Sequence, residues 1–105
     1  MVVIAPRREL LQEICKGVRN SVRNTGISLY ASIGQSSIRD EEFILKKGMQ
    51  VLLATPQRIC EVMKHGVLTA ERIRVIALDK PEELFCTGSR GEMLKIIDAL
   101  PDNVQ

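Results

Sequence analysis

Two arginines follow a proline near the start of this chain, in Pro6-Arg7-Arg8-Glu9-Leu10, and a third closes Thr55-Pro56-Gln57-Arg58. A guanidinium presents a planar fork of N–H donors that suits phosphate and carboxylate oxygens. Both segments lie where an apolar run ends and a helical pattern begins. A helix start offers free backbone N–H groups and the positive end of the helix dipole, so it favours anions and disfavours cations. An external phosphate would resolve that mismatch. The alternatives are pairing with a nearby acid, such as Glu9 or Glu61, or simple exposure to water. Two further segments, Gly34-Gln35-Ser36-Ser37 and Asp79-Lys80-Pro81-Glu82, also follow apolar runs.

Other chemistry is poorly supplied. Cys15, Cys60 and Cys86 are odd in number, widely spaced and without a C-x-x-C pair. They form neither a disulfide framework nor a zinc motif, which fits a reducing, intracellular compartment, cytoplasmic or nuclear. Cys15 and Cys60 sit among apolar residues and read as packing groups. His65 is the only histidine and reads as a surface residue at a helix end. Tyr30, Phe43 and Phe85 are the only aromatics, too few for a base-stacking platform. No apolar run approaches the roughly 18 residues of a membrane span, and no secretory leader is evident.

Charge is unevenly distributed along the 105 residues. Residues 1–39 carry six basic and two acidic side chains, a net of +4, and residues 40–105 carry a net of −2. The basic end is the better place to seek a phosphate-bearing partner, although a solvated helix face would give the same count.

The elements that must position these residues alternate. Val2–Ala5 is a short β-branched run, read as a buried strand. Leu10, Ile14, Val18 and Val22 recur every four residues beside Leu11 and Cys15, which predicts an amphipathic helix over about 7–23. Asn24-Thr25-Gly26 stops it. Ile27–Ile33 reads as a second strand, and the capping-box spacing of Ser37 and Asp40 starts a helix over about 38–47. Gln50–Ala54 is a third strand. Thr55-Pro56 is an N-cap followed by proline at the first helical position, and that helix runs to Gly66. Ile73–Leu78 is a fourth strand and Glu92–Leu100 a last helix. Apolar strands alternating with helices imply an α/β fold with a mainly parallel sheet. Its loops then gather at one edge, where ligands of open α/β sheets bind.

These segments together carry a family resemblance. Val3-Ile4-Ala5-Pro6-Arg7-Arg8-Glu9-Leu10 resembles the A-P-T-R-E-L motif of DEAD-box RNA helicases. Ile33-Gly34-Gln35 resembles their Gly-Gly loop, and Ala54-Thr55-Pro56-Gln57-Arg58 their T-P-G-R motif. Val75–Leu84 falls where the family has V-L-D-E-A-D, and Pro101–Gln105 resembles the stretch before its S-A-T motif. The likeness runs over essentially the whole chain and is nearest in feel to the translation-initiation and exon-junction branch.

The resemblance implies a RecA-like three-layer α/β/α fold, with residues 1–105 forming the middle part of the first RecA-like domain and about four strands. It implies single-stranded RNA as partner, gripped along its backbone without sequence reading, with Pro6, Arg7, Arg8, Gly34, Gln35, Thr55, Pro56, Gln57 and Arg58 at the contact. Arg7 stands where the family has threonine. Gln35 and Gln57 stand where it has glycines that let RNA approach closely, so weak binding is expected. The family uses ATP and magnesium, but its G-K-[ST] loop, S-A-T motif and second domain have no counterpart in these residues. The resemblance puts Asp79 at the magnesium-facing acid, Lys80 at the water-activating glutamate, and Pro81 and Glu82 at the last two motif positions. An ammonium cannot serve as a carboxylate base, so no catalytic residue and no cofactor is expected in this chain. Two other readings stay open. One is a protein-interaction module whose open sheet edges are covered by a partner or by the rest of a longer polypeptide; the other is a fragment of a longer protein whose other parts supply the phosphate loop and the second domain.

Overall fold

The computed structural model describes residues 1–33, 37–86 and 88–105. Four strands, β1 (Val2–Ile4), β2 (Leu29–Ser32), β3 (Val51–Ala54) and β4 (Ile76–Leu78), form one sheet in the order β2-β3-β1-β4. Every pairing is parallel: Val2 lies opposite Leu52 on one side and Ile76 on the other, and Leu29 opposite Val51. Parallel strands need long crossovers, here mostly helices. These are α1 (Arg8–Ser21), α2 (Ile38–Lys46), α3 (Pro56–Lys64), α4 (Pro81–Cys86) and α5 (Arg90–Ala99).

Alternation along each strand sends side chains to opposite faces of the sheet. Val3, Ala5, Val51 and Leu53 face one way, where α1 covers them with Leu11 and Cys15. Val2, Ile4, Leu52 and Ala54 face the other way. There they meet Ile59 of α3, Leu84 of α4, and Met93 and Ile96 of α5, with Leu45 of α2 at the margin. Helices lie on both faces, so the architecture is the three-layer α/β/α arrangement that the resemblance implies.

The element boundaries differ from expectation in instructive places. On α1 the fully inward positions are Leu11 and Cys15, while Leu10, Ile14, Val18 and Val22 are half-buried flanks of the stripe. The fourth strand is shorter than Ile73–Leu78. A 3-10 turn at Ala70–Arg72 precedes it, and Ile73 buries its side chain outside the ladder. α4 lies between the predicted fourth strand and last helix, where no helix is predicted: Pro81 opens it and Leu84 is its one buried residue. At the far edge, Gln105 donates to the Arg74 carbonyl at 3.1 Å and accepts from Ile76 N at 2.9 Å, continuing the parallel pattern on β4.

Candidate nucleic-acid interface

The carboxyl ends of β1, β3 and β4 lie side by side, so the segments 5–8, 55–58 and 79–81 share one sheet edge. Backbone bonds tie them together. Ala5 N donates to the Ala54 carbonyl at 3.4 Å, and Asp79 N to the Ile4 carbonyl at 2.9 Å. Pro6 is half-buried against this frame. Arg7 is the N-cap of α1 and makes no side-chain cap hydrogen bond there. It is 55% exposed and lies 3.8 Å from Glu83 of α4 rather than against Glu9. Arg8, the first residue of α1, is exposed, and no ion pair joins it to another described residue. Thr55 caps α3 through its extended backbone, again without a side-chain cap bond, and Pro56 is buried at the first helical position. Gln57 is exposed, and its amide donates to the buried Ser89 hydroxyl at 3.4 Å, across to the start of α5. The expected contacts at Gly34 and Gln35 lie outside the described residues.

Arg58 is held quite differently. It is 8% exposed. Its Nε donates to Glu41 Oε2 at 2.9 Å and to Ser32 Oγ at 3.1 Å, and its Nη1 donates to Glu61 Oε2 at 2.9 Å. Ser32 in turn donates to the other oxygen of Glu41, as does the Tyr30 hydroxyl at 3.4 Å. Glu41 is 1% exposed. Burial by itself lowers the Arg58 guanidinium, but hydrogen bonds and charge from Glu41, then from Glu61, outweigh it and raise the group above its ordinary range. The carboxylates also offset the cation's conflict with the dipole of α3. Pairing with Glu61 is one of the alternatives left open by the sequence. Glu41 was not anticipated at all. A signal exists: Ile38, Glu41 and Leu45 fall at helical spacing on the packed face of α2, so the acid interrupts an apolar stripe.

At the β4 end, Asp79 is half-buried and Lys80 is exposed with φ 50°, in the left-handed region, immediately before Pro81. Few non-glycine residues adopt that backbone. Among the described residues no group of three or more His, Cys, Asp or Glu is gathered as a ready-made metal cage.

The chain is similar to known proteins over nearly its full length. The family model for the DEAD/DEAH box helicases matches residues 1–105. Eukaryotic initiation factor 4A-1 of Arabidopsis thaliana is 33% identical over 104 residues, which are 99% of this chain and 25% of that protein. Eukaryotic initiation factor 4A of Zea mays is 31% identical over the same share. This chain thus spans about a quarter of the length of the relatives it matches. The crystal structure of the yeast DEAD-box splicing factor Prp28 superposes with a TM-score of 0.82 at 23% identity, covering 99% of this chain and 24% of that one. That likeness shows that the fold is RecA-like. On the match of the family model to the whole chain, this protein belongs to the DEAD/DEAH box helicases.

Proposed function

We propose that this chain is the middle part of a first RecA-like helicase domain that holds single-stranded RNA weakly by its sugar–phosphate backbone. One observation carries the reading: exposed Arg7 and Arg8 at the start of α1 stand on the same sheet edge as Thr55 and Gln57 at the start of α3. Adjacent strands bring together two helix starts with their donor-rich ends, a geometry suited to consecutive phosphates. Contacts of this kind position a strand without reading its bases. Few cations take part, so the affinity falls in the nonspecific range, micromolar or weaker, and drops with salt. Lys80 in place of a carboxylate base leaves the isolated chain without ATP turnover.

Anisotropy of a labelled oligouridine, titrated at two salt concentrations, tests the reading. Binding at low salt is expected, and Arg8→Ala should reduce the salt slope by about 1. No binding at low salt, or an unaltered slope, would refute it. Phosphate release from ATP should stay at background, and turnover above background refutes the inactive assignment.

A second reading is favoured by α5. Leu94 and Ile97 are 45% and 43% exposed on its outer flank, as large apolar side chains that a further polypeptide could cover. Capture of a protein that survives nuclease treatment, with no RNA binding, would favour it.

A further inference from the structure

The buried polar cluster of Tyr30, Ser32, Glu41 and Arg58 is too costly to be incidental. Two charges are taken out of water, and three oxygens that face Arg58 come from three elements: Ser32 ends β2, Glu41 lies in the first turn of α2, and Glu61 lies in α3. Ser32 and Glu41 flank the connection between β2 and α2, and Arg58 lies in the first turn of α3, beside the Thr55-Pro56-Gln57 segment. The pair therefore joins the end of β2 and the first turn of α2 to the first turn of α3, which follows the Thr55-Pro56-Gln57 segment of the candidate RNA edge. A guanidinium with these acceptors at 8% exposure is turned away from an external phosphate.

We infer that Glu41 is a positioning residue which, through Arg58 and Ser32, fixes the start of α2 against the start of α3, and that Arg58 serves the RNA edge as a strut rather than as a phosphate contact. This rests on the RNA-binding reading above. Directional bonds from one guanidinium to two elements restrict both translation and rotation between them. Apolar packing of similar volume would hold the elements together without fixing that register.

The test uses the whole 105-residue chain. Two variants are compared with wild type: Glu41→Gln, and the apolar pair Glu41→Met with Arg58→Met, which keeps volume and leaves no buried charge unpaired. Amide hydrogen exchange is followed at residues 41–44 and 59–62, the first hydrogen-bonded amides of α2 and α3, and, as an internal reference, in α1. Exchange should quicken at least tenfold in both segments together and stay unchanged in α1. Oligouridine affinity should fall several-fold in the apolar pair with the salt slope kept, whereas Arg8→Ala loses about 1 from the slope. Wild-type exchange in both segments of the apolar pair overturns the inference. So does a slope reduced by about 1 in that pair, because Arg58 is then a phosphate contact. If wild type fails to bind oligouridine, the RNA-binding reading falls and the exchange data alone decide whether the strut exists.

Discussion

Arginines occupy the first turns of both α1 and α3 at one sheet edge, yet their surroundings are opposite. Arg7 and Arg8 are exposed, with Glu83 at 3.8 Å from Arg7. Arg58 points inward and bonds to two carboxylates and a hydroxyl. The helix dipole opposes all three, so position at a helix start does not separate them. The difference lies in what stands alongside. The start of α1 is flanked by β3 and β4 loops that offer no buried acid. The start of α3 packs beside α2, whose stripe carries Glu41. A cation at a helix start is available to a ligand only where the neighbouring layer has not already neutralised it.

The comparison breaks most readily at Glu41. Removing one partner of a buried ion pair leaves an uncompensated charge, so Glu41→Ala should cost about 3–5 kcal/mol in urea denaturation. A loss under about 1 kcal/mol would mean that Arg58 is as well solvated as Arg8. On the exposed side, Arg8→Ala should leave stability within about 0.5 kcal/mol in the same experiment, and Arg7→Ala should lose no more than the ~0–1 kcal/mol of a surface bridge. A Lys80→Gly variant sharpens the β4 end of the edge. It removes left-handed strain at φ 50° but adds unfolded-state freedom, for a net gain of up to about 1 kcal/mol. The smallest effect lies on α2. Lys46 stands 2.6 Å from Glu42 and lowers its pKa through that hydrogen bond and then through charge. A lowered folded-state pKa means that the pair's support is present above the ordinary Glu range and is lost as pH falls through the folded midpoint. An NMR titration of the Glu42 carboxyl should therefore show a depressed midpoint, which Lys46→Ala returns toward normal.

Much of this layout was legible from local pattern. The β-branched runs at Val2, Val51 and Ile76 mark strands because each is short and apolar throughout, as two-sided burial requires. Thr55-Pro56 marks the start of α3 by backbone chemistry alone, and Ser37 with Asp40 does the same for α2, where the Ser37 hydroxyl accepts from Asp40 N at 3.2 Å. What escaped local reading was non-local. α4 has one inward side chain, too little for a periodicity, and its six residues are held by packing on α5. The partner of Arg58 lies seventeen positions away in α2. Spacing in sequence therefore pointed only to Glu61, the partner one helical turn along. The strand order, which sets β1 between β3 and β4, likewise follows from tertiary packing.

The unequal covering of the sheet has a consequence for how the molecule breathes. Among the described residues one helix, α1, shields Val3, Ala5, Val51 and Leu53, while four helices share the opposite face. Detachment of α1 thus exposes a whole side of the core in a single event, whereas no single detachment does so on the other side. Such a sub-global opening should be the lowest-energy excursion of the native state. Arg8 rides on the first turn of that same helix. A polyanion bound there stabilises the closed form by mass action, so occupancy of the edge should register as slowed amide exchange along α1, far from any contact with the ligand.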